Sequence, residues 1–206
     1  MRDLISELAA VHRTVAHDKA DGDEVVRVTM RRRYSTDAAD LWSALTEPER
    51  IARWFMPISG DLREGGSFQL EGNASGDILT CDPPSTLRAT FNGPESIVTV
   101  TLTPVRDTET ELQLDHTVPL AMAQNVAGAL FVGPGWDGAF LGLGLYIAGE
   151  AVGDPREAAN SPEVIKFNLA SIDLWTTVVA ESGATPEQIE PLRAMSLAQF
   201  APDTPA

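Results

Sequence analysis

The sequence is poor in the residues from which cross-links and metal centres are built. Its one cysteine, Cys81, excludes an internal disulfide and a thiolate metal cluster within one chain, and it fits a reducing cytoplasm. Histidine is nearly as scarce: His12, His17 and His116 are the whole supply, and none sits in a spacing such as HExxH, so no metal and no cofactor are expected. Basic residues are also few. Fifteen Lys and Arg against thirty Asp and Glu give a net charge of -15, which opposes phosphate backbones and anionic lipid surfaces. Nucleic acid is therefore not an expected partner, and the acidity reads as a solubilising surface. No stretch of about 18 uninterrupted apolar residues is present, and the N-terminus MRDLISELAAVHRTVAHD lacks the apolar run of a signal peptide. Neither membrane insertion nor export is expected, which leaves the cytoplasm. Gly65-Gly66 and Gly133-Pro134-Gly135 match neither a phosphate loop nor a dinucleotide fingerprint, and no GxSxG elbow occurs.

What is present is a change of hydrophobic period along the chain. Leu4, Leu8, Val11 and Val15 recur at helical spacing, which predicts an N-terminal helix followed by a polar linker over Asp18–Asp23. Glu24–Tyr34 then alternates, with Val26, Val28 and Met30 on one face of a half-buried strand. Ala38, Leu41, Trp42 and Leu45 return to helical spacing. Thr46 and Glu49 have the spacing of a capping box for a second short helix through Arg50–Trp54. From Pro57 to Val118 the pattern is strands and turns, clearest where Val98, Val100 and Leu102, then Leu112, Leu114, His116 and Val118, alternate with polar residues. A long helix is predicted from about Gly135, with Trp136, Phe140, Leu143 and Ile147 on one stripe. Its Gly138, Gly142 and Gly144 either permit close approach to the sheet or leave room for a ligand. After a polar linker beyond Pro155, Ser161-Pro162-Glu163 starts a helix with the stripe Ile165, Leu169, Ile172, Trp175 and Val179. Thr185-Pro186-Glu187-Gln188 starts another.

Strands segregated from helices in this order predict an α+β fold, a curved antiparallel sheet closed by a long helix. Three segments follow from it: an N-terminal helix and linker over 1–23, a main domain over 24–153 and a C-terminal helical extension over 154–206. The blocks LWSALTEPERIARWF (Leu41–Phe55), DLREGGSF (Asp61–Phe68), GDILTCDPPSTL (Gly76–Leu87), TETELQLDHTVP (Thr108–Pro119) and GPGWDGAFLGL (Gly133–Leu143) resemble, in order, the START-like or SRPBCC superfamily. Within it they are similar to the branch named for the activator of heat-shock protein 90 ATPase, the AHSA type. The resemblance spans about six-tenths of the chain, Val25 to Glu150, and implies a helix-grip scaffold. That superfamily includes binders of lipids and other hydrophobic molecules, polyketide cyclases and chaperone-associated proteins, so a scaffold is implied and a single activity is not.

The alternation of its strand sends His116 to the inner face beside Leu112 and Leu114. There it is either a hydrogen-bonded core histidine or a group able to polarise a carbonyl or exchange a proton. Arg88 and Asp115 are expected to point outward. Trp54, Phe68, Phe91, Trp136 and Phe140 are expected to face inward, between sheet and long helix, as core or as the walls of a ligand site. The first expectation for function is non-enzymatic binding of a small hydrophobic molecule by these residues and His116. The alternatives are an enzyme of cyclase, hydrolase or isomerase type using His116, and an interaction module for a chaperone or other protein. A homodimer through the C-terminal helices is also left open, because their apolar stripe needs a docking surface.

Overall fold

The computed structural model describes residues 4–20, 22–150 and 161–202. Eight antiparallel strands form one sheet in the order β1-β2-β8-β7-β6-β5-β4-β3. They are β1 (His12–Ala20), β2 (Asp23–Tyr34), β3 (Ile58–Gly60), β4 (Ser67–Leu70), β5 (Ser75–Asp82), β6 (Thr86–Thr90), β7 (Ile97–Arg106) and β8 (Glu109–Pro119). The helices are α1 (Leu4–Leu8), α2 (Ala38–Thr46), α3 (Pro48–Ile51), α4 (Leu120–Ala123), a 3₁₀ turn over Val126–Phe131, α5 (Gly133–Ile147), α6 (Pro162–Glu181) and α7 (Pro186–Phe200). This is the α+β helix-grip arrangement, with α5 held by the sheet.

The N-terminal segment departs from expectation. Among the described residues of this segment Leu4–Leu8 is helical, and His12–Ala20, including Val15 and the first half of the anticipated linker, is an edge strand paired with β2 along its whole length. Val11 and Val15 satisfy both periods, four residues apart for a helix and an even number apart for a strand. The pairing partner decides between them. The second short helix is also capped differently: Glu47, not Thr46, is the N-cap, and the Thr46 hydroxyl donates to the Trp42 carbonyl at 2.8 Å. The polar linker expected beyond Pro155 lies largely outside the described residues.

Cross-strand rows carry the core. Val28, His116 and Val98 stand side by side on β2, β8 and β7, as do Met30, Leu114 and Val100 one step along. Against this inner face α5 packs Phe140 and Leu143, both buried. Two of its glycines explain how close it comes. A Cβ at Gly142 would lie 2.5 Å from the Trp54 carbonyl oxygen, and one at Gly144 would lie 2.5 Å from the Arg32 guanidinium. Close approach is thus the role of these two positions, whereas Gly138 meets nothing within 4 Å.

The C-terminal helices dock on their own chain. Ser161 caps α6 by accepting from the Val164 N–H, and Thr185 with Gln188 forms the capping box of α7. Phe167, Ile172, Trp175 and Val179 are at most 1 % exposed, while Ile165 and Leu169 lie at the margin of the interface. The junction is polar at one point. Asp137 of α5 accepts from Arg13 at 2.7 Å, from Ser171 at 2.6 Å and from the Trp175 indole at 2.9 Å, binding β1, α5 and α6 together. Burial pushes its carboxyl up, and these donors oppose the shift. A second buried pair, Arg32 with Glu7 at 2.5 Å, ties α1 to β2. One hydrophobic cluster contains residues of β1, the main sheet, α5, α6 and α7.

Candidate functional site

A cavity of about 190 Å³ opens under the curled end of the sheet. It does not lie between the sheet and α5, as expected, because that space is filled by the cluster around Met30, Leu114 and Phe140. Its roof is the α2–α3 hairpin and the segment after it, which contribute Leu45, Ile51, Trp54 and Phe55. Its floor comes from β3 to β7, through Ile58, Phe68, Ile78, Leu87 and Val100 among others. The long helix supplies one residue, Trp136.

Trp54, Phe68, Phe91 and Trp136, all expected to face inward, line this space. Phe91 connects two of them, with ring centroids 5.2 Å from Trp136 and 6.4 Å from Phe68. Phe140 does not line it. Its ring lies 6.5 Å from the Tyr34 ring in the packed region, one helical turn beyond Trp136 on α5. His116 is not in the lining either, and stands behind Phe91 and Trp136, 2 % exposed.

Both ring nitrogens of His116 are engaged. Trp136 Nε1 donates to Nδ1 at 3.1 Å, and Nε2 lies 2.8 Å from Ser96 Oγ. An indole nitrogen can only donate, so Nδ1 must be the acceptor, and the proton of the neutral ring belongs to Nε2, which donates to Ser96. Burial pushes the imidazole down to about 4, so it is uncharged at neutral pH. Asp115 is directed to the opposite face, as expected, where it accepts from Thr29 and Gln113.

Several lining residues escaped the sequence reading, Cys81 and Leu87 among them. Ile78 and Cys81 face the same cavity although they are three residues apart, because the β5–β6 register shifts between Ile78 and Thr80. Strict alternation from Ile78 would have selected Thr80. Leu45 was visible in the helical stripe of α2, but nothing in that stripe said it would border a void and not a neighbour.

The polar inventory of the wall is small. The Trp54 indole donates to the Ala44 carbonyl at 3.0 Å, the Trp136 indole to His116, and the Thr46 hydroxyl to Trp42. The Cys81 thiol remains, and among the described residues no carboxylate, lysine, arginine or histidine borders the cavity. Among the described residues no cluster of three or more His, Cys, Asp or Glu could hold a metal. An apolar wall of this kind can solvate an uncharged guest.

A model of the family described as Activator of Hsp90 ATPase homolog 1-like protein matches residues 35–146, more than half of the chain. The chain belongs to this family. It is 36 % identical to CalU16 from Micromonospora echinospora in its crystal structure, with a TM-score of 0.68 over 82 % of this chain and 98 % of that one. It is 25 % identical to DynU16, a protein in the dynemicin biosynthetic locus, with a TM-score of 0.53 over 61 % of this chain and 49 % of that one. An HSP90 activator from Plasmodium falciparum shares the fold at 22 % identity and a TM-score of 0.51, over 60 % of this chain and 96 % of that one. No curated protein matches. Among the described residues no helix is long and apolar enough to cross a membrane.

Proposed function

We propose that this family member is a non-enzymatic binder of a small, uncharged hydrophobic molecule, taken up in the cavity beneath the α2–α3 hairpin. The observation that carries this reading is the composition of the wall: among the described residues seventeen line the cavity, and none of them carries a charge. Aromatic faces at Phe68, Phe91 and Trp136 suit a flat guest. His116, the residue an enzymatic reading would need, is buried behind two of these rings with both nitrogens occupied, which favours binding over proton transfer. That DynU16 belongs to a biosynthetic locus agrees with a small-molecule role.

Covering about 300 Å² of apolar guest surface would yield roughly 7 kcal/mol gross, and association removes a large share of it, so micromolar affinity is expected. The test is a fluorescence titration with the uncharged probe N-phenyl-1-naphthylamine. Saturable uptake is expected, together with loss of uptake in Ala89→Phe, which places a ring inside the cavity from β6. Undiminished uptake by a folded Ala89→Phe protein would move the site elsewhere. Partnership with a chaperone rests on the family's description and on a likeness of fold alone.

A further inference from the structure

Trp136 is the sole contribution of α5 to the cavity, and it is half-buried, with Phe91 as its ring neighbour on the cavity wall. What holds it is a chain of two hydrogen bonds beginning on neighbouring strands. Ser96 immediately precedes β7, and His116 lies on β8 between Val28 and Val98. Ser96 Oγ accepts from His116 Nε2, which leaves Nδ1 as a bare acceptor aimed at the indole N–H. The planes of His116 and Trp136 are 85° apart, and Phe91 meets His116 edge-on with centroids 5.7 Å apart. Three rings are therefore braced against one another, with only the imidazole outside the lining. Because His116 is outside, the indole N–H it receives is directed away from the guest.

We infer that the Ser96–His116 pair is the positioning element of the ligand site. It fixes the Trp136 indole, sets the shape of the cavity's inner wall, and withdraws the N–H donor of Trp136 from the guest. The site thereby selects flat, uncharged aromatic molecules that require no hydrogen bond at Trp136. This inference rests on reading the cavity as a ligand site. His116 acts through Trp136 and touches no guest.

Two independent measurements test it. Long-range ¹H–¹⁵N NMR of the full chain, with no ligand present, should show His116 as the Nε2–H tautomer. The indole resonance assigned by Trp136→Phe should shift in His116→Leu and return toward its wild-type position in His116→Gln, whose amide can still accept and donate. The second measurement is a double-mutant cycle on N-phenyl-1-naphthylamine affinity. His116→Leu should weaken uptake by about tenfold in the wild-type background and by less than about twofold in Trp136→Phe, where the donor is already gone. Should His116→Leu fail to fold, Ser96→Ala enters the cycle in its place with the same expected coupling. An Nδ1–H tautomer, or additive losses in the cycle, would overturn the inference. Absence of uptake by the wild-type protein, with tautomer and indole signal as expected, would instead overturn the ligand site on which it rests.

Discussion

The two halves of the sheet share one chain and one curvature yet end differently, one solid and one hollow. Over β1, β2 and β8 the inner face is covered by α5, the 3₁₀ turn and α6, and Met30, Leu130, Ile172 and Trp175 are wholly buried. Over β3 to β7 the cover is the short α2–α3 hairpin, and Phe68, Phe91 and Val100 keep partial exposure around a void. Glycine marks the difference. On α5 it lets the backbone come close to the Arg32 guanidinium on the solid side and to the Trp54 carbonyl at the border with the hollow one. At the hollow end α5 presents Trp136, hydrogen-bonded to His116, to the cavity.

If the solid half is what keeps the fold together, removing its outer layer should have the largest effect. A chain ending near Pro155 loses Phe167, Ile172, Trp175 and Val179 from the core, and is expected to lose cooperative melting by calorimetry. An unchanged melt would mean that α6 and α7 are ornaments. Asp137→Ala cuts the same layer at one point, stranding the Arg13 guanidinium and the donors of Ser171 and Trp175. A loss of about 3–5 kcal/mol is expected in urea unfolding. A loss below about 1 kcal/mol would show that water enters that junction.

The boundary between the halves can be probed with pH. His116 titrates near 6.5 in an unfolded chain and is held down to about 4 in the native state. Between those values the unfolded chain takes up a proton that the native state refuses, so this stabilisation is complete above pH 6.5 and is lost as pH falls toward 4. Its size is about 3 kcal/mol. The groups in contact with the ring are a hydroxyl, an indole and a phenyl ring, so no carboxylate among them offsets the effect. The stability gap between wild type and His116→Gln should therefore shrink over this interval, and a constant gap would contradict it. The smallest effect separates the halves directly. Phe140→Trp overfills the solid half and should cost about 1–3 kcal/mol while leaving probe uptake intact. Ala89→Phe fills the hollow half and should do the reverse. Similar behaviour of the two variants would erase the distinction.

The sequence by itself determined the elements whose period is unambiguous: β2, β7 and β8, the capped helices α6 and α7, and the order that makes an α+β helix-grip fold. It also assigned inward faces to Trp54, Phe68, Phe91, His116 and Trp136, because strand and helix periods specify direction. Tertiary structure decided what each inward side chain meets. Val15 fits a helix as well as a strand until pairing with β2 placed it opposite Val28. Cys81 turned inward because a bulge changed the phase of β5. Phe140 entered the core and Trp136 the cavity, although they share a helical stripe, because one meets Tyr34 and the other Phe91 and His116. Whether a void remains beneath an inward residue depends on the distance between packed layers. That distance is set by contacts such as Gly142 on Trp54 and His116 on Trp136, between residues far apart in the chain, which no local period records.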